Sequence, residues 1–313
     1  MRLYFETSAV NYLANVVFSN PSFGSLSTKK FQNQKGNKWQ ISNITLWEIF
    51  LTKNAERRYH LFDLARCLFY DKLISSPEEI IINYIKSGCP KYEKKYELES
   101  RGTFSNEWTK ACKNLDYIFQ PDREQLNQLT DHFRFFGEYF GKSFKGFYLM
   151  PVAHTDEVTQ KIGEAFLEAS YDKLLKIAGN TTDETLKRYI KYSMQVVMLI
   201  LCYGIGVDHS AIESFWNQER DIEPLERLKE SIKKYPKIFF RGPIASITKM
   251  ILLQSKNNGS RGLYFDSLQS IYITYSDLFI TDDKHFLRFR DDNRNDPNMS
   301  KIISIRDINF FNP

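Results

Sequence analysis

Short apolar segments alternate with helix-like segments at both ends of this chain, and the alternation fades between residues 88 and 240. Arg2 to Phe5 reads as a buried strand, followed by a helix over 8–18 and a polar, glycine-containing loop over 19–38. Trp39 to Ser42 is a second strand, helices follow over 45–53 and 57–70, and Leu73-Ile74 is a third. Ser76-Pro77-Glu78-Glu79 starts another helix, with a capping serine, a first-turn proline and two acids that favour the dipole. The pattern returns after Pro243: a helix over 244–255, a turn at 257–260, a helix over 266–276, then strands at 278–281 and 302–305. Strands alternating with helices predict a parallel α/β sheet with helices on its faces.

The middle of the chain predicts helices at 123–140, 156–178, 183–203 and 221–235, with a charged helix or linker at Lys91 to Glu99. No internal repeat is visible. The expected organisation is one α/β domain made of residues 1–87 and 241–313, interrupted by a helical insertion over 88–240.

Composition narrows the class of protein. At 42% hydrophobic and 26% charged residues the chain has material for a sizeable core. The net charge of +5 is compatible with a polyanionic partner without demanding one. Cys67, Cys89, Cys112 and Cys202 form no CxxC pair and read as reduced thiols of a cytoplasmic protein. The opening Met1-Arg-Leu-Tyr-Phe is strand-like, so no signal peptide is expected. Val196 to Val207 is short of the roughly 20 residues a membrane span needs and reads as a buried helix, so no membrane partner is expected.

Ligand sites in parallel α/β sheets lie where strands end and helices begin. Glu6 follows the first strand, Glu48 lies early in the helix after the second, Asp266 heads a returning helix, and Asp282 and Asp283 follow the strand after it. From Asp266 to Asp277 is about three turns, or roughly 16 Å. The next strand covers roughly the same distance in reverse at about 3.3 Å per residue. Asp266 and Asp283 therefore return to one edge, and Asp277 falls at the other. Converging carboxylates repel, so they either protonate or share a cation. Oxygen ligands without a nearby His or Cys favour Mg²⁺ or Mn²⁺ over zinc. Such ions activate water and stabilise charge on a transferring phosphate, which points to metal-assisted phosphoryl chemistry.

Phe5-Glu6-Thr7-Ser8-Ala9-Val10, Ile41-Ser42-Asn43-Ile44-Thr45-Leu46-Trp47-Glu48 and Asp277-Leu278-Phe279-Ile280-Thr281-Asp282-Asp283-Lys284-His285-Phe286 resemble the three signature segments of PIN-domain nucleases. The resemblance covers roughly 1–85 and 240–313. It implies a Rossmann-like three-layer α/β/α fold and metal-dependent cleavage of RNA, or sometimes of single-stranded or flapped DNA. It implies Glu6, Glu48, Asp266 and Asp283 as catalytic metal ligands, with Asp282 as a lesser candidate. Thr7 or Ser8, with Thr281, would hydrogen-bond a carboxylate, water or phosphate. In this family the first acid is normally Asp; Glu6 is one methylene longer, which would shift the metal, alter its preference or weaken the site.

Plainer readings stand beside these. Asp266 and the Thr281-Asp282 pair also suit helix N-caps. Glu6 and Glu48, taken singly, suit solvated surface positions. Lys29, Lys30, Lys35 and Lys38, in a loop placed just beyond Glu6, would contact phosphates or simply be solvated. Phe133 to Met150 interleaves aromatics with Arg134, Lys142 and Lys145, which suits core or interface, or stacking of bases. His60, His132, His154, His209 and His285 have no partner at metal-ligand spacing, and Gly204-Ile-Gly206 lacks a dinucleotide fingerprint. The insertion, with no chemistry of its own, is expected to mediate self-association or to bind a regulatory protein, and to gate the site. The alternatives to an active nuclease on RNA are a catalytically degenerate PIN scaffold and a metal-dependent nucleotide phosphohydrolase.

Overall fold

The computed structural model describes residues 1–19, 38–50, 52–69, 73–89, 209–234, 242–255 and 263–308, with isolated positions between 172 and 197. The described residues fall into two compact units. The first takes in those of Met1–Ser76 and Tyr272–Pro313, and the second those of Pro77–Lys95 and Asp131–Ile271. These divisions differ from the breaks read from sequence at 87/88 and 240/241.

The first unit is an α/β fold around five parallel strands: β1 (Arg2–Phe5), β2 (Lys38–Ser42), β3 (Leu73–Ile74), β4 (Leu278–Thr281) and β5 (Ile302–Ser304). Their order across the sheet is β3-β2-β1-β4-β5. β1 is central, so Leu3 pairs with Trp39 on one side and with Leu278 on the other. From β1 the chain leads away to β2, and from β4 it leads the opposite way to β5. The gap between the carboxyl ends of β1 and β4 is thus the topological switch point, where open α/β sheets bind ligands.

Strand alternation sorts the side chains. Leu3, Phe5, Trp39, Ile41 and Ile280 face one side and bury the apolar stripes of α1 (Thr7–Ser19), α2 (Asn43–Phe50) and α3 (Ala55–Phe69). Ala9, Val10, Leu13, Ala14 and Val17 give α1 its stripe at helical spacing. Each fully buried Leu, Val or Phe contributes about 1.5–3 kcal/mol of gross transfer energy, so a charge at Val10 or Leu13 would break this layer. Tyr4 and Phe279 point the other way. Tyr4 stacks on Tyr272 at 4.5 Å between centroids, and Phe279 packs on Phe286 at 4.8 Å.

The predicted helix over 266–276 is two helices, α8 (Leu263–Gln269) and α9 (Ile271–Tyr275), parted at Ser270. The Ser270 hydroxyl bonds the Ser267 carbonyl at 2.6 Å. That carbonyl is the acceptor an uninterrupted helix would give to Ile271, so the side chain competes with the ladder. The last strand-flanked helix, α10 (Lys284–Asp292), precedes β5.

The second unit's helices are α4 (Pro77–Lys86), α5 (His209–Trp216), α6 (Glu223–Lys234), α7 (Gly242–Ser255) and α8. α4 packs on α6 and α7. α6 opens with Glu223 and Glu226 and closes with Lys233 and Lys234, the charge order the helix dipole favours. The expected helix at 123–140, most of those at 156–178 and 183–203, and the aromatic stretch 133–150 lie outside the described residues. Among the described residues no helix is long and apolar enough to cross a membrane.

Candidate metal centre

Continued past their last pairs, the strand registers align Ser42, Glu6 and Thr281 across the carboxyl ends of β2, β1 and β4, and Thr281 pairs with Ser304 on β5. Glu6 extends the ladder by one bond, its N–H donating to the Ile280 carbonyl at 3.0 Å. Its own carbonyl accepts from Ala9 and Val10, which begins α1. Its carboxylate turns back and accepts the Ser8 N–H at 2.9 Å, so Glu6 caps the helix it precedes. With 4% of its surface exposed, this acid is no solvated strand end.

Three donors meet at Glu6 Oε2: the Ser8 N–H, the Ser8 hydroxyl and the Thr281 hydroxyl, the last at 3.0 Å. Each hydroxyl has one proton, and both point at the carboxylate, so the 3.2 Å contact between Ser8 and Thr281 carries none. Each hydroxyl oxygen instead accepts a backbone N–H from the turn after β4. Asp282 donates to Ser8 at 2.8 Å, and Asp283 donates to Thr281 at 2.9 Å. Two chains of the form N–H to O–H to carboxylate thereby tie the β4–α10 turn to the head of α1.

Glu48 joins through Thr7, whose hydroxyl donates to Glu48 Oε2. Under these groups lies the Tyr4 phenol, fully buried, 2.9 Å from the Ser42 hydroxyl and 3.4 Å from that of Thr45. Burial pushes the phenol far above its usual range. The hydrogen bonds to Ser42 and Thr45 pull it down, and the charges of Glu6 and Glu48 push it further up. Both glutamates are therefore close enough to act on one neutral phenol, in a setting that disfavours unpaired negative charge.

Asp283 is the N-cap of α10, its Oδ1 accepting the His285 N–H at 2.5 Å. The His285 ring nitrogen Nδ1 lies 3.6 Å from the same oxygen. Ligand atoms of Asp283 and His285 lie within 4.8 Å of one another, close enough to share a metal ion. A carboxylate beside an imidazole offers two donors suited to a divalent cation. Asp282 behaves differently. Arg306 grips it with two bonds, Nε to Oδ1 at 2.6 Å and Nη2 to Oδ2 at 2.8 Å, and lies over the Tyr12 ring at 5.3 Å. The hydrogen bonds and charge of Asp282 raise the guanidinium above its ordinary value. Both Asp282 oxygens are held by Arg306, so the guanidinium fixes the orientation of this carboxylate.

The first unit thus strings Glu6, Glu48 and Asp283 on Thr7, Ser8 and Thr281. Asp266 is buried in the first turn of α8, within the second unit, three residues after the helix begins rather than at its cap. Lys38 is not brought to this edge. It starts β2 beside Arg2, and its N–H bonds the Met1 carbonyl at 2.8 Å. The thirteen-residue α1 carries the chain back to the amino ends of the strands, so the segment after Ser19 leaves from the opposite edge. Lys29, Lys30 and Lys35 lie outside the described residues. Sequence reading missed His285, Arg306 and Tyr4. Only His285 left a usable signal, a histidine two residues after a helix-capping aspartate.

No family model matches the chain, and no curated protein or solved structure matches it at a significant level.

Proposed function

We propose that the chain is a metal-dependent nuclease with a PIN-like three-layer fold, an endoribonuclease that hydrolyses phosphodiester bonds in single-stranded or structured RNA. The observation that carries this reading is the gathering of Glu6, Glu48 and Asp283 after β1, β2 and β4, around the switch point of a β3-β2-β1-β4-β5 sheet. The three sequence segments that resemble PIN domains supply those same residues.

Glu6, Glu48 and Asp283 would hold Mg²⁺ or Mn²⁺, and Asp266 keeps its sequence-based assignment as a further ligand. When bound, such an ion lowers the pKa of a water and offsets charge on the phosphate. The chain's own groups orient the ligands: Ser8 and Thr281 fix Glu6, Thr7 fixes Glu48, and the helix cap fixes Asp283. We assign the protein to the cytoplasm, and the 88–240 region to self-association or a regulatory partner. A monomer in light scattering, with no partner bound, counts against the latter.

The test is incubation of labelled single-stranded RNA and DNA oligonucleotides with Mg²⁺, Mn²⁺ or EDTA, beside an Asp283→Asn, Glu48→Gln double variant. Metal-dependent cleavage of RNA, lost in the variant, is the expected result. Preferred cleavage of DNA would reassign the substrate. A folded protein that neither cleaves nor binds a divalent cation would be a scaffold instead.

A further inference from the structure

We infer that His285 supplies a nitrogen ligand to the cation of this site and thereby selects Mn²⁺ over Mg²⁺. The inference rests on the metal-site reading above and goes beyond it, since the sequence offers an all-oxygen set.

The cap of α10 builds the pair. Asp283 Oδ1 accepts the backbone N–H of His285, so the carboxylate is oriented by the very residue whose ring stands beside it. A carboxylate oxygen that accepts one N–H keeps a lone pair for a metal. The imidazole Nδ1 lies 3.6 Å from that oxygen. With two bonds of about 2.1 Å, a cation bridging them would subtend an angle of roughly 115–120°, within the range of distorted six-coordinate or tetrahedral sites. Both side chains are partly open, 32% exposed for Asp283 and 52% for His285, so an ion can reach them from solvent. Mg²⁺ keeps oxygen and water ligands, whereas imidazole favours first-row transition ions. In a set otherwise made of carboxylates, Mn²⁺ satisfies both kinds of donor.

The experiment uses the full chain and needs no cleavage. MnCl₂ and MgCl₂ are titrated by calorimetry into the parent, His285→Gln and His285→Ala, with circular dichroism to show that the variants fold. Manganese affinity is expected to fall roughly 10- to 100-fold in both variants, the scale on which lost metal-site interactions act, while magnesium affinity stays within about threefold. Pulsed electron paramagnetic resonance of bound Mn²⁺ should show coupling to an imidazole nitrogen that disappears in His285→Gln. Metal binding unchanged in both variants, or no nitrogen coupling in the parent, leaves His285 a mere ion-pair neighbour of Asp283 and overturns this inference alone. Failure of the parent to bind either metal overturns the metal-site reading with it.

Discussion

Replacing Thr281 with valine keeps the shape at the end of β4 and removes one oxygen. Thr281 is fully buried, donates to Glu6 Oε2 at 3.0 Å and accepts from the Asp283 N–H at 2.9 Å. A hydrogen bond to a charged group is worth about 1.5–3 kcal/mol, and stranding a part-buried N–H adds about 1–3 kcal/mol. The two overlap, so Thr281→Val should cost about 3–4 kcal/mol, a large share of the roughly 5–15 kcal/mol that holds a domain together. Thr281→Ser keeps the hydroxyl, loses one methyl group, and should cost only about 1 kcal/mol. Urea unfolding in EDTA, followed by tryptophan emission, measures both, because Trp39 and Trp47 are buried in this unit. A Thr281→Val protein within about 0.5 kcal/mol of the parent, the range of an ordinary surface change, would refute the hydroxyl network as described.

Asp283→Asn should retain the helix cap, and Asp283→Ala should lose about 1 kcal/mol in urea unfolding, while manganese titration falls sharply in both. That pattern separates the capping role from the ligand role. Tyr4 makes an alkaline prediction. Its folded pKa is raised, chiefly by burial, so its contribution is fully present below the unfolded value of about 10 and is lost as pH climbs toward the folded one. Between about pH 10 and 11 the parent should lose stability relative to Tyr4→Phe by up to about 1.4 kcal/mol per unit, read from paired urea curves. Gly242→Ala should destabilise the helical unit by about 2–4 kcal/mol in thermal unfolding, because φ is +68° there and a Cβ would meet the Tyr84 ring at 2.8 Å.

The five strands were readable because buried parallel strands are short apolar runs bounded by helix starts, as at Arg2–Phe5 and Leu278–Thr281. The positions of Glu6 and Asp283 were readable because each stands where a strand hands over to a helix. What escaped has physical causes. Arg306 meets Asp282 across 24 residues, a pairing no local pattern encodes. His285 has no histidine or cysteine near it in sequence; its neighbour is the capping Asp283, which a cap reading alone accounts for. Where a helix ends decides the edge from which the next segment departs, so Glu6 at the head of α1 does not place the residues after Ser19. The break at Ser270 follows from a single hydroxyl, beyond the reach of periodicity.

The central strand is made long before one of its two neighbours. Leu3 meets Trp39 early, but its other partner, Leu278, is separated from it by 275 residues. Closing the longer loop costs only about 1.8 kcal/mol more than the shorter, so the arrangement is thermodynamically cheap. Its cost is in time. At about 5–20 residues per second, translation needs roughly 12–47 s from Glu48 to Thr281. Throughout that interval the nascent chain carries Glu6 and Glu48 without Thr281 or Asp283. An incomplete product, released early by a stalled ribosome or a premature stop, would lack Thr281 and Asp283 and with them the hydrogen bonds that tie the turn after β4 to Glu6.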